Sequence, residues 1–370
     1  MKITDVRTYP VRVPLLYEFK AAYGTRNTAD FVIVEIVTDI GLSGWGESST
    51  IPIYDTGSQA DVVLIIERYY KPMLLGKDPT DIMGILASLD NAVKSARYAK
   101  CAVDFALHDI SGKHFGLPVY KMLGGGRTSL PICWVIGAKS ANDIQSEAQE
   151  KLDAGFTTFK LKVGTHHDLD IENLAALREA AGPKISIRLD GNEAWNPKQA
   201  LEILEKFSKY APDHIEQPVP AWDVEGLRFV RERTPIPVVA DECILSCRDT
   251  LRILMANAAD RINIKVSRAG GIVESRKIAY VAHAAGRHPF AGSNLELGIG
   301  TVASAHLFAT LPEAELTTEL VGPLLLKEDI VAEPVKYENG NIVLSDAPGF
   351  GVWPCRKLLE KYACRRLKPE

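Results

Sequence analysis

Two lysines stand two residues apart on an otherwise apolar run, Thr157-Thr158-Phe159-Lys160-Leu161-Lys162-Val163-Gly164. β-Branched and aromatic residues closed by a glycine mark a strand. Residues i and i+2 of a strand share a face, so Lys160 and Lys162 lie side by side. A solvated lysine face on an edge strand would account for them. In an enclosed site the two ammonium groups would instead repel, and their pKa values would fall toward neutrality. One of them would then become a usable base.

The downstream charges favour the enclosed site. Asp190, Glu216 and Asp241 are 26 and 25 residues apart, and Lys265 follows 24 residues later. Singly, each carboxylate could be a helix N-cap or a turn residue; their recurrence at one spacing argues against that. Three converging carboxylates without a cation would be costly. All-oxygen ligation suits Mg²⁺, with Mn²⁺ as the second choice. Lys162 and Lys265 would then face each other with the metal between them. A carbon acid next to a carboxylate is too weak for an unaided lysine. A divalent ion on that carboxylate would stabilise the enolate, with one lysine working on each face.

One spacing implies one repeating unit. From residue 130, strands are expected at 130–136, 157–163, 185–190, 214–217, 238–241, 261–266, 287–292 and 314–320, with a helix in every gap. Eight such units suit a closed β/α barrel, whose site lies at the C-terminal strand ends. Those ends carry Lys160 and Lys162, Asp190 with Asn192, Glu216, Asp241 with Glu242, Lys265, and Glu319. Glu296 lies at the mouth and either assists binding or serves its own loop. No dinucleotide fingerprint supports a doubly wound sheet.

Ahead of the barrel, residues 1–120 read as an α+β unit. Its strands are 3–13, broken by Pro10 and Pro14, then 31–38 and 42–47. Loops are expected at 15–30, with Phe19, Tyr23 and Arg26, and at 48–58. Helices fill 60–115 and stop at Gly116-Leu117-Pro118. Gly124-Gly125-Gly126 marks a boundary rather than a phosphate cradle, since no GxGxxG or GK[ST] accompanies it. The division is 1–125 for an N-terminal unit, 126–323 for the barrel, and 324–370 for a tail returning to the first unit.

The chain has 370 residues, 46% of them hydrophobic, 24% charged, and a net charge of −4. That balance gives no reason to expect nucleic acid or an anionic membrane as partner. Six cysteines are scattered without a CxxC pair, and Cys243 and Cys247 lack the partners of a zinc site. His166-His167 reads as a surface turn rather than a metal tract. No signal h-region and no run of 18 apolar residues occurs, so a reducing cytoplasm is the expected setting.

With Lys160-x-Lys162, Asp190, Glu216, Asp241 and Lys265 in place, the chain resembles the enolase superfamily over essentially its whole length. It is most similar to the muconate lactonizing enzyme (muconate cycloisomerase) subgroup of the mandelate racemase/muconate lactonizing enzyme family. The resemblance implies a modified (β/α)7β barrel with a capping domain completed by the tail. It implies Mg²⁺ or Mn²⁺ on Asp190, Glu216 and Asp241, and Lys162 and Lys265 as acid/base residues. It also implies that Lys160 tunes Lys162, that the substrate is a small carboxylate, and that the chain forms a homo-oligomer. Mandelate racemase-type members use a His on strand seven; His288 lies at the start of that strand, and Lys265 is present. The stretch Thr317-Thr318-Glu319-Leu320-Val321-Gly322-Pro323 resembles the muconate enzymes. Dipeptide epimerases typically carry Asp-x-Asp there, which argues against that activity. Tyr23-Gly24-Thr25-Arg26 departs from the muconate pattern; Arg26 could bind a distal carboxylate or be solvated. Racemases or epimerases of amino-acid derivatives, dehydratases of sugars or hydroxy acids, and o-succinylbenzoate synthase-like lyases are the alternatives on the same scaffold. A barrel used only for binding would lack one of the charged residues, and none is missing.

Overall fold

The structure is a computed structural model and describes residues 1–52, 57–312 and 314–364. The chain opens with three antiparallel strands in the order β1 (Ile3–Ala21), β2 (Gly24–Thr38) and β3 (Ser43–Thr50). The segment expected as a loop over 15–30 is instead the end of a long hairpin, with Ala21 paired to Gly24 and Phe19 to Arg26. Pro10 and Pro14 do not break β1, because it is an edge strand and their missing N–H groups cost no ladder bond. The expected second loop starts later than 48, since β3 runs to Thr50; its positions 53–56 lie outside the described residues. Helices follow, the longest at Arg97–Phe115, which ends on Gly116 in the left-handed conformation (φ 70°). β3 is glycine-rich because it lies directly on that helix. A Cβ at Gly46 would come within 1.8 Å of the Ala102 carbonyl oxygen.

The expected first barrel strand is divided. β4 (Ser129–Pro131) leaves the barrel to pair with the tail, and β5 (Trp134–Ile136) begins it. The remaining barrel strands are β6 (Thr158–Lys162), β7 (Ser186–Asp190), β8 (His214–Glu216), β9 (Val238–Ala240), β10 (Arg261–Ile264) and β11 (His288–Ala291). All pair in parallel in chain order, with helices between them. Polar caps start those helices: Ser140, Asp223 and Ser246 each accept from an N-terminal backbone N–H, and Asn196 with Gln199 forms a capping box ahead of Pro197.

The eighth segment is not a regular strand, yet it closes the ring. Glu315 and Glu319 donate their N–H groups to Pro289 and Ala291, and Cys133 donates to Thr318. Its irregularity follows from Thr317 spending its carbonyl on the Arg188 side chain rather than on a ladder. In the tail, β12 (Lys336–Glu338) and β13 (Asn341–Val343) join β4 in a small antiparallel sheet. Further on, Arg12 donates to the Tyr362 carbonyl and Cys364 to that of Pro10. One apolar core runs through strands of the first sheet, the barrel and the tail; a second lies under the N-terminal helices. Among the described residues no helix is long and apolar enough to cross a membrane.

Candidate active site

Strand register sets the site. Lys162 lies opposite Asp190, and Asp190 opposite Glu216, so three charged side chains stand in one row across β6, β7 and β8. Asp241 follows Ala240 at the end of β9, and Lys265 follows Ile264 at the end of β10. All are buried, the three carboxylates wholly so. Residues beyond the strand ends turn sharply: Asn192, Gln217 and Leu295 have positive φ (41°, 34° and 66°), an uncommon conformation that clusters at functional sites.

Lys160 and Lys162 point the same way, as their spacing requires, and both reach Asp190 Oδ2, at 3.0 and 2.5 Å. Lys160 also donates to Glu216 Oε1 and Glu319 Oε2, both at 2.8 Å. Lys162 is steadied by Asn192 Oδ1 at 2.9 Å, and Asn192 in turn donates to Glu242. Lys265 Nζ lies 2.6 Å from Asp241 Oδ2. The expected fall in lysine pKa does not occur in this arrangement. Burial pulls both ammonium groups down, but the carboxylates around them, Asp190 foremost, outweigh it. Lys160 ends well above its ordinary value and Lys162 above it; the repulsion between them is the smaller effect. The carboxylates divide. Burial raises Asp190, yet Lys160, Lys162 and Lys265 more than offset it, and Arg268 with Lys265 does the same for Asp241. Glu216 stays well above its usual range through burial and the nearby Asp190, and Glu242 is pushed up to about 8 by burial and Asp241.

Among the described residues no three acidic, His or Cys side chains already enclose an ion-sized gap, because lysine and arginine partners hold the carboxylates. The residues still fit a divalent ion. Three carboxylates converge from adjacent strand ends, and Glu216 Oε2 is buried without a hydrogen-bond partner. Glu216 Oε1 is positioned by Asn263, and the Asp241 backbone N–H by Gln217 Oε1.

One cavity is lined by Lys160, Lys162, Asn192, Lys265 and Glu319, with Tyr23 and Arg26 arriving from the β1–β2 hairpin. Phe19, Ile51, Val135, Leu295, Val321 and Leu325 give it apolar walls. Glu242 and Glu296 do not line it. Glu296 accepts from Ser267, Ser293 and the Asn294 N–H and so serves its own loop. His288 is exposed at the opposite end of β11, and His166 is exposed in its turn. Sequence reasoning missed Arg268, buried and 2.5 Å from Asp241 Oδ1. Its only signal was a basic residue one helical turn after Lys265.

Residues 3–124 match the mandelate racemase/muconate lactonizing enzyme N-terminal domain, and residues 143–357 match the enolase C-terminal domain-like family. The chain belongs to the mandelate racemase/muconate lactonizing enzyme family of the enolase superfamily. It is an enzyme of that family. It is 35% identical to an L-Ala-D/L-Glu epimerase of Clostridium acetobutylicum, over 95% of this chain and 99% of the relative. Muconate lactonizing enzyme from Pseudomonas fluorescens complexed with muconolactone superposes with a TM-score of 0.95 at 34% identity, covering 98% of this chain and 99% of that one. Dipeptide epimerase from Enterococcus faecalis complexed with Mg and the dipeptide L-Leu-L-Tyr superposes at 0.90, again 34% identical, over 95% and 99%. Identity is thus even between cycloisomerase and epimerase, and does not choose between them.

Proposed function

We propose that the chain is a divalent-metal-dependent isomerase that moves a proton at the carbon next to a carboxylate, and that it acts as a muconate-type cycloisomerase on a small dicarboxylate. One observation carries this reading: Lys162 and Lys265, from β6 and β10, line a single cavity. Asp190, Glu216 and Asp241 would hold the ion, Mg²⁺ first and Mn²⁺ second; the dipeptide epimerase relative is itself complexed with Mg. When bound, the ion would neutralise charge developing on the substrate carboxylate.

The rest is done by side chains. Arg26, on the cavity wall, pairs with the second carboxylate. The apolar walls accommodate an unsaturated carbon chain and exclude water. Lys162 exchanges the proton at Nζ, oriented by Asn192, and Lys265 approaches from the other side. Lys160 remains an ammonium, held charged by three carboxylates, and supplies fixed positive charge.

Arg26 on the cavity wall favours the dicarboxylate; Glu319, whose Oε2 is taken by Lys160 while its Oε1 is buried without a hydrogen-bond partner, does not by itself reject an ammonium-bearing substrate. The paired lysines favour the second reading, a racemase or epimerase, since proton removal on one face and return on the other needs two such groups. The purified protein with Mg²⁺ is offered muconate, muconolactone and L-Ala-L-Glu. Interconversion of the first two is expected, with the dipeptide unchanged. Epimerised dipeptide with no lactone turnover would overturn the cycloisomerase reading in favour of the second.

A further inference from the structure

We propose that Arg268 is a positioning residue that makes Asp241 a one-oxygen ligand for the divalent ion; this rests on the metal-dependent reading above. Asp241 is wholly buried, and both its oxygens are engaged. Oδ1 accepts from Arg268 Nη2 at 2.5 Å and Oδ2 from Lys265 Nζ at 2.6 Å. The two partners differ in kind. Lys265 lines the cavity, on a flexible stem, and can give up Oδ2. Arg268 is 1% exposed and does not line the cavity, and the same Nη2 also donates to the Asp241 carbonyl oxygen. Nη2 thus holds one residue at both carboxylate and main chain, and the planar guanidinium that carries it is pre-organised, so the grip opposes rotation of the Asp241 side chain.

The grip is itself held. Arg268 lies one turn beyond Lys265 on the short helix Val266–Ala269, so both side chains reach Asp241 from one face. Gly270 and Gly271 end that turn at φ 101° and 107°, where other residues would be strained. A Cβ on Gly271 would come within 2.5 Å of Asp104 on the helix Arg97–Phe115. From the same helix, Arg97 Nε donates to the Arg268 carbonyl oxygen at 3.0 Å. The N-terminal unit thereby clamps the turn that orients Asp241, and Gln217 fixes the Asp241 backbone from the other side. Oδ2 is the oxygen held by a cavity-lining partner.

The test is Mn²⁺ affinity without substrate, read as free Mn²⁺ by electron paramagnetic resonance, on the wild type, Arg268→Met and Arg268→Lys. Thermal midpoints are recorded beside it. Arg268→Met is expected to weaken Mn²⁺ binding about 10–100-fold, the usual cost of losing a group that orients a ligand. Arg268→Lys, which keeps the charge but loses the planar, longer guanidinium, is expected to weaken it less, yet measurably. A folded variant with a lowered midpoint but unchanged or tighter Mn²⁺ binding would overturn the inference, because a purely structural or charge-neutralising role moves those quantities instead. If Arg268→Met does not fold, Arg268→Lys decides by the same criterion. A wild type that binds no Mn²⁺ overturns the metal-dependent reading and this inference with it; wild-type binding with indifferent variants overturns this inference alone.

Discussion

Lys160 and Lys162 are two residues apart and face the same way, yet their surroundings give them different work. Lys160 is ringed by Asp190, Glu216 and Glu319 and is locked as a cation. Lys162 has one carboxylate, one amide and an open side on the cavity. Lys162→Met and Lys265→Met are each expected to lower kcat by about 10²–10⁴-fold, the usual worth of a general acid or base. Neither should weaken Mn²⁺ binding, since each removes an ammonium now paired with a carboxylate that would hold the ion; steady-state kinetics and metal titration check the two halves. The row of charges was legible because one β/α unit sets the spacing of its members. The protonation balance of the lysines was not, since it depends on how many carboxylates reach each ammonium, which spacing along the chain does not tell. Arg268 was hidden because an arginine on a short helix has the same sequence appearance whether it faces solvent or a carboxylate.

At the scale of elements, the N-terminal unit supplies caps to barrel helices. Glu47 on β3 accepts from the Leu297 and Gly300 N–H groups and so caps the helix Gly298–Phe308, which has no side-chain cap of its own. Asp104 does the same for the helix Ile272–Ala284 through the Ile272 and Val273 N–H groups. Both helices adjoin turns that carry site residues. Glu47→Ala is expected to lower stability by about 1–3 kcal/mol, because it strands two buried donors; urea unfolding measures it. A loss below a few tenths of a kcal/mol would mean that water replaces the cap. These caps were invisible beforehand because their donors and acceptors are 168 to 253 residues apart in the chain. The helices themselves were legible from periodicity. The hairpin at 15–30 was not, because prolines that end a central strand are harmless on an edge.

At the scale of the whole molecule, the cores are shared: the smaller one joins the N-terminal helices to Val32, Val34 and Ile36 of β2, and Cys101 and Phe105 of the helix Arg97–Phe115 belong to the larger one. His306 shows the coupling. It sits on a barrel-side helix, accepts from the Tyr120 N–H, and packs its ring on Phe350 of the tail. Activity, near-ultraviolet and far-ultraviolet signals should therefore be lost in one urea transition; separated midpoints would show independent units. Burial holds His306 neutral, with its pKa lowered to about 3 from an ordinary 6.5. The unfolded chain then binds the extra proton first, so stability falls as pH drops from about 6.5 toward 3, by at most about 1.4 kcal/mol per pH unit. His306→Asn keeps an acceptor but removes the titration. The advantage of wild type over this variant, measured by urea unfolding, should shrink between pH 6.5 and 4.5 and stay constant above pH 7.

The proposed reaction is proton exchange at the carbon next to a carboxylate, with help from a divalent ion. Its most direct measurement is proton nuclear magnetic resonance of muconolactone incubated with the protein in D2O. With Mg²⁺, the wild type should place deuterium on the carbon α to the carboxylate, and chelation of the ion or Lys162→Met should stop it. Deuterium incorporation that survives both complete chelation and loss of Lys162 would contradict the account.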